Sequence, residues 1–313
     1  TARRPMLMPY LIVTITGAAV MILELLGTRI IGPFYGVSLY VWASLIAVTL
    51  IALALGYFLG GYLADRLPAV RLNHVMVVAA LGTAVIPFLT SPVLRLTNSL
   101  GLRGGAFASA LLLFTVPLTA LAMVGPYVIK RSTHDLSGVG TVAGSVYAVS
   151  TVGSVGGTLL LGFFLLPLFG TRTILMALSL LLATLAALVV WYEGSDSVRD
   201  RSLAAAAVGL ALLTSTGLAA AQKPVEGFTV RSEAESLYGW VRVVDDERRG
   251  YRLMLSDASV ISAVDTKLDR SVLGYQQVLG LLPLLRPDAA HALLIGLGGG
   301  HVARDLRSQG IVT

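Results

Sequence analysis

The residues best suited to chemistry lie near the C-terminus. Positions 291–306 read His291-Ala-Leu-Leu-Ile295-Gly-Leu-Gly-Gly-Gly300-His-Val-Ala-Arg-Asp305-Leu. This is an apolar strand, a glycine-rich turn and the start of a helix. Gly296, Gly298 and Gly300 let the backbone approach a ligand closely, and a helix N-terminus favours a polar or anionic group. The pattern fits a nucleotide-binding turn and also a plain tight strand-to-helix turn. Just upstream, Tyr275-Gln276-Gln277 lies in a stretch of helical spacing, Lys267–Leu285. There Leu268, Val272, Tyr275, Val278, Leu279 and Leu282 recur at threes and fours before Pro287. The third candidate is Glu24, about two-thirds along an apolar run. A charge at that depth is costly. It reads either as a structural hydrogen bond or neutral acid, or as a proton- or amine-binding group. Arg29 is five residues on, about 140° around a helix, so the two share no face and Glu24 is expected to meet a neighbouring helix. The chain has no Cys, which excludes disulfides, thiolate metal sites and Cys nucleophiles. His74, His134, His291 and His301 show no ligand-like spacing, so no metal site is expected.

These residues sit in an unusual chain. Of 313 residues, 56% are hydrophobic and 13% charged, against about 25% charged in a soluble domain. Mean hydropathy is +0.82. A soluble globular protein and a disordered chain are both excluded on these figures. Seven windows meet the need for about 20 mostly apolar residues per span. They are Met8–Ile31, Leu39–Leu63, His74–Leu94, Gly105–Ile129, Thr141–Phe169, Thr173–Tyr192 and an Ala-rich seventh, Leu203–Ala221. Trp42, Tyr57, Tyr62, Trp191 and Tyr192 fall near the window ends, as interfacial aromatics do. Gly56-xxx-Gly60-Gly61 and Gly153-Ser154-xx-Gly157 place small residues four apart. That spacing lets helix backbones pack closely and would also suit a helix that slides.

Residues 1–221 carry 12 Lys+Arg against 6 Asp+Glu, and residues 222–313 carry 11 of each. The positive balance therefore belongs to membrane loops, and nucleic-acid binding is not expected. The N-terminus and loops 2–3, 4–5 and 6–7 hold eight basic residues; Arg29, Arg95, Arg103 and Arg172 lie on the other side. The positive-inside rule puts the first set in the cytoplasm. Seven spans then leave the C-terminal part outside.

From Pro224 the texture changes. Phe228–Arg231, Tyr238–Val244, Tyr251–Leu255 and Ser259–Val264 read as short strands, with Asp245–Gly250 as a hairpin turn. The expected architecture is an α-helical polytopic membrane bundle of about seven spans over 1–221. A small β-domain with a helix follows over 222–288. The first strand, turn and helix of a Rossmann-like nucleoside-binding domain close the chain over 289–313.

In this order the chain resembles the membrane-fused spermidine synthase-like proteins, relatives of the polyamine aminopropyltransferases. The residues that carry the resemblance are Glu235-Ser-Leu-Tyr238, Leu255-Ser-Asp257, Tyr275-Gln276-Gln277, the turn Gly296–Gly300 and Arg304-Asp305. The resemblance implies that Tyr275 lines an amine pocket and that Gln276 contacts a nucleoside. Gly296, Gly298 and Gly300 would cradle an adenosyl sulfonium donor, either decarboxylated S-adenosylmethionine or S-adenosylmethionine. The family's activity is transfer of an aminopropyl group to an amine. This sequence departs from the pattern at Gly239, where the family has Gln, and at Gly299, where it has the acid that holds the donor's ammonium. A charge-assisted hydrogen bond is worth about 1.5–3 kcal/mol, so its loss weakens that donor roughly tenfold or more. The ribose-binding acid is expected about 20 residues past such a turn, and Thr313 comes before it. The donor is thus expected on a longer form and not on this chain alone.

The resemblance implies a transferase. The departures and the loop charges imply a non-catalytic membrane subunit or scaffold. Glu24, with Gly61-Tyr-Leu63-Ala-Asp65-Arg66 resembling half of a major facilitator loop motif, implies a small transporter. Expected partners are the lipid bilayer and, through the Gly-rich helices, other membrane proteins or a second copy. The expected location is a cell membrane, the inner one of a bacterium.

Overall fold

The computed structural model describes residues 7–133, 138–193, 197–220, 227–236, 239–256 and 259–313, without the side chains of 215–220, 235, 236 and 239. The chain divides into two compact units, Thr1–Ala221 and Gln222–Thr313.

The first unit is helical. Its helices are α1 Leu7–Tyr35, α2 Leu39–Arg66, α3 Leu72–Thr97, α4 Gly101–Ser132, α5 Val139–Leu160, the single turn α6 Leu166–Leu168, α7 Thr171–Glu193 and α8 Val198–Ala220. A π turn, Leu161–Leu165, joins α5 to α6. Among the described residues five segments are long and apolar enough to cross a membrane: Leu7–Tyr35, Leu39–Arg66, Leu72–Ser132, Val139–Leu168 and Thr171–Glu193. The third, 61 residues long, is folded in two. A 3-10 turn at Asn98–Leu100 and Gly101 at φ +69° reverse the chain. Thr97 Oγ1 then lies 2.7 Å from Ser109 Oγ, and Gly82 packs on Pro117. Prolines at 33, 87, 92, 117 and 126 stay inside helices, as neighbouring helices permit in apolar surroundings. This is the make-up of a multi-pass membrane protein. Large apolar side chains such as Phe58, Phe163 and Leu50 face outward, as lipid contact allows.

The seventh window forms α8, which is not among the five membrane-length segments. It lies along α3 and α7 and buries Ala204, Ala207 and Ala211. Elsewhere the small-residue spacing is spent on close packing. A Cβ on Gly56 would stand 2.5 Å from the Thr119 carbonyl oxygen, and one on Gly60 2.8 Å from Met123 Cα. Gly153 and Gly157 of α5 abut Thr14 and Ala18 of α1, and Ser154 Oγ donates to the Gly17 carbonyl at 3.0 Å.

The second unit opens with an antiparallel meander: β1 Phe228–Ser236, β2 Gly239–Asp246, β3 Tyr251–Ser256 and β4 Ser259–Asp265. A bulge near Arg231 bends β1. It sets Arg231 Nε 2.7 Å from Asp245 Oδ2, while Arg252 Nε reaches Asp245 Oδ1 at 2.7 Å. Hydrogen bonding from Arg252, then from Arg231, holds the Asp245 carboxyl at about 2. Asp245 and Asp246 are therefore strand residues, and the hairpin turn is narrower than its composition suggests. Asp246 Oδ1 accepts the N–H groups of Arg248 and Arg249 at 3.1 Å each, and Gly250 turns the chain at φ +69°.

Two expected elements are corrected. The helix expected over 267–285 is confined to α9, Gly274–Gly280, with a 3-10 turn at Leu282–Leu285. Asp265 Oδ1 accepts the N–H groups of Lys267 and Leu268 at 2.8 and 2.9 Å, which makes a turn there. Ser271 then bridges to Val264. The strand expected over 291–295 is reduced to a single parallel bridge, His291 to Val312, because a strand needs a paired neighbour along its whole length. The last helix, α10 His301–Ser308, packs Val302 and Leu306 with Ile311, Leu279 and Leu294 into a small core.

Candidate functional site

Two separated stretches meet on β4. Tyr275, at the start of α9, donates its hydroxyl to the Ile261 carbonyl, with its ring exposed. Gln276, next in line, turns inward and is 3% exposed. Its Nε2 donates to Ser262 Oγ at 2.9 Å, and its Oε1 is buried without a partner among the described residues. The glycine turn lies over the same two residues. Gly298 approaches the Ile261 carbonyl, and a Cβ on Gly299 would stand 2.5 Å from Ser262 Oγ. Gly296, Gly298 and Gly300 take φ of +92°, +54° and +77°, values that side chains other than Gly rarely adopt. Gly300 is the left-handed residue before α10. Tyr275, Gln276, Gly296, Gly298 and Gly300 thus share one corner of the unit.

His301, the first residue of α10, stands against Gly299. Burial, then the charge of Arg304, holds its imidazole below the usual range, so it is a neutral donor or acceptor at the turn. Arg304 is spent on structure. It reaches Asp269 Oδ1 at 2.6 Å, the Asp269 carbonyl at 2.8 Å and Asp305 Oδ1 at 3.1 Å. Asp269 itself stands at φ +49°. Tyr238 and Asp257 of the other two motifs, like His134, lie outside the described residues.

Gly299 explains its own identity. Ser262 is 1% exposed and fills the space an acidic side chain would need. Gly299→Asp is expected to destabilise this unit by about 2 kcal/mol through overpacking, and Ser262→Gly in the same chain to relieve the clash but restore only part of it, because Gln276 Nε2 then loses its acceptor. Hydrogen exchange in β4 and α9 measures both. Unchanged protection in Gly299→Asp would show that the turn has slack.

The first unit holds a second polar cluster, at the ends of α2, α4 and α7 and the starts of α3 and α8. Lys130 Nζ lies 2.9 Å from Asp65, Arg131 Nη1 2.7 Å from Glu193 and Arg71 Nη1 2.8 Å from Asp200. His74 Nε2 is 3.0 Å from the other Asp200 oxygen. Tyr127 donates to the Val70 carbonyl at 3.0 Å. A cavity of about 740 Å³ opens among Arg71, Tyr127, Lys130, Arg131 and Glu193. Sequence reading takes these cations only as loop charges; the acids that pair with them carry no motif, Asp65 apart. Glu24 is elsewhere, midway along α1, facing Thr49 of α2.

No family model, curated protein or solved structure matches the chain. The chemistry of these sites rests on their own residues.

Proposed function

We propose that the chain is a membrane-embedded spermidine synthase-like protein. Its C-terminal unit supplies part of a site that moves an aminopropyl or similar group from an adenosyl sulfonium donor to an amine. The observation that carries this reading is the convergence of Tyr275, Gln276 and the glycine turn on Ile261 and Ser262. Two motifs about 20 residues apart in sequence meet on the same two strand residues, as parts of one site would. In this reading the turn and the N-terminus of α10 face the nucleoside, and the exposed Tyr275 ring lines the amine pocket. The buried Oε1 of Gln276 is an acceptor waiting for a donor group. The sulfonium carbon is already activated, so what remains is to orient the two substrates and take a proton from the amine.

A second reading, a non-catalytic membrane subunit, is favoured by two observations. Ser262 closes the position of the donor-holding acid. The packing of α8 along α3 and α7 supports a seventh span, which with the loop charges puts the second unit outside. A sulfonium donor is made in the cytoplasm, so the side of the membrane separates the readings. The chain lacks Cys, and Ser308 of α10 is exposed. Ser308→Cys, probed with an impermeant maleimide on intact cells, is expected to react only after permeabilisation if the transfer reading holds. Labelling of intact cells sinks it and leaves the subunit.

A further inference from the structure

We propose that Glu24 of α1 and Thr49 of α2, together with Thr115 of α4, form a site for a small monovalent cation inside the bundle. It lies in the first unit and does not depend on the transfer reading.

The registers of three helices bring these residues to one depth. Gly27 packs against Leu45, 2.5 Å from an added Cβ, so Glu24 comes level with Thr49 as α1 and α2 run antiparallel. Its carboxyl draws on that hydroxyl, and Thr49 Oγ1 has no other partner among the described residues. Gly105 packs against the Tyr35 ring, and α4 also runs antiparallel to α1. Counting back from that contact brings Glu24 level with residues 115 and 116.

The hydroxyls on this seam behave unlike their neighbours. Thr14, Thr83, Thr90, Thr97, Thr151 and Thr158 each turn back onto the carbonyl four residues earlier. That is the ordinary way to satisfy a threonine in an apolar helix. Thr49, Thr115 and Thr119 do not; among the described residues the Thr115 and Thr119 oxygens are buried without a partner, and Thr49 meets only the Glu24 carboxyl. Thr49 is 4% exposed. A buried polar group left unmade is costly, and the unmatched hydroxyl of Thr115 at the level of a carboxylate points to a missing occupant. The ion pairs of the bundle lie at helix ends, and none among the described residues includes Glu24.

The donor set selects the occupant. It holds one carboxylate and otherwise neutral oxygens, so its charge is balanced by one positive charge. Hard oxygen donors suit an alkali cation, whereas Ca²⁺ draws on several carboxylates and carbonyls. A carboxylate in the bilayer interior is tolerated when paired, and the bound cation would be its pair.

The test melts the whole chain in detergent, in sodium, potassium or choline chloride at equal ionic strength. A saturating alkali cation is expected to raise Tm over choline by on the order of 5 °C. Glu24→Gln should abolish that difference. Thr49→Val should move the midpoint of the cation titration to roughly tenfold higher concentration. Equal melting of the native chain in all three salts overturns the proposal. So does an alkali effect that survives in Glu24→Gln. If Glu24→Gln fails to fold, Thr49→Val decides: a shifted midpoint supports the site and an unchanged one removes it.

Discussion

Gly153→Leu should pull α5 away from α1 and cost about 3 kcal/mol, the upper end of what overpacking does. The added Cβ would fall on the Thr14 carbonyl oxygen and 2.8 Å from Thr14 Cα. These are backbone atoms of a helix and cannot step aside. Gly157 meets Ala18 Cα at 2.7 Å in the same way, so the strain cannot be passed one turn along. Nor has α5 other burial to fall back on. Val146, Gly153 and Gly157 are its buried residues. Between lipid-exposed helices no hydrophobic drive remains; van der Waals packing and interhelical hydrogen bonds hold them. The bond from Ser154 to Gly17 is lost with the contact. Gly156→Leu is the matched control, because a Cβ there meets nothing within 4 Å. It should cost less than about 1 kcal/mol. Thermal unfolding of both variants in detergent reads the difference, and equal melting would contradict a close-packed seam.

The glycine pattern was legible because backbone approach leaves its mark on one chain position at a time. Apolar length was legible for the same reason: five of the first six windows became helices a few residues longer, since aromatic and basic residues such as Tyr35, Arg66, Lys130 and Arg131 extend a helix beyond its apolar stretch, while the fifth is broken by the π turn between α5 and α6. What pairs across the fold leaves no local trace. Arg71 and Asp200 are 129 residues apart, and Arg131 and Glu193 are 62 apart; nothing near either cation names its acid. In the second unit the motifs at 275–277 and 296–300 could each be seen, but the place of Ser262 beneath the turn could not. Its effect on Gly299 exists only where β4 lies under the turn. Helical spacing over 267–285 misled because Asp265 caps a turn and Ser271 joins the sheet. Tertiary pairing outweighed a periodicity that α9 keeps for only seven residues. Glu24 was legible as a cost; that its neighbours' hydroxyls stay unspent was not.

The ion pair that docks α8 makes an asymmetric prediction. Asp200 has a side chain 6% exposed and Arg71 one 45% exposed, with 2.8 Å between Nη1 and Oδ2. Removing the exposed partner is the worse change. Arg71→Ala takes the guanidinium away from a buried carboxylate that His74 also meets at 3.0 Å, and should cost about 2–3 kcal/mol. Asp200→Ala instead leaves a guanidinium that can turn to water, and should cost about 1 kcal/mol. The double variant should be more stable than Arg71→Ala alone, because the stranded charge is gone. Unfolding in detergent gives the order of the three variants, and hydrogen exchange through Ala204–Ala211 shows whether α8 is the part that loosens. If Arg71→Ala is no worse than Asp200→Ala, the carboxylate reaches solvent after all, and α8 is held by its alanine face alone.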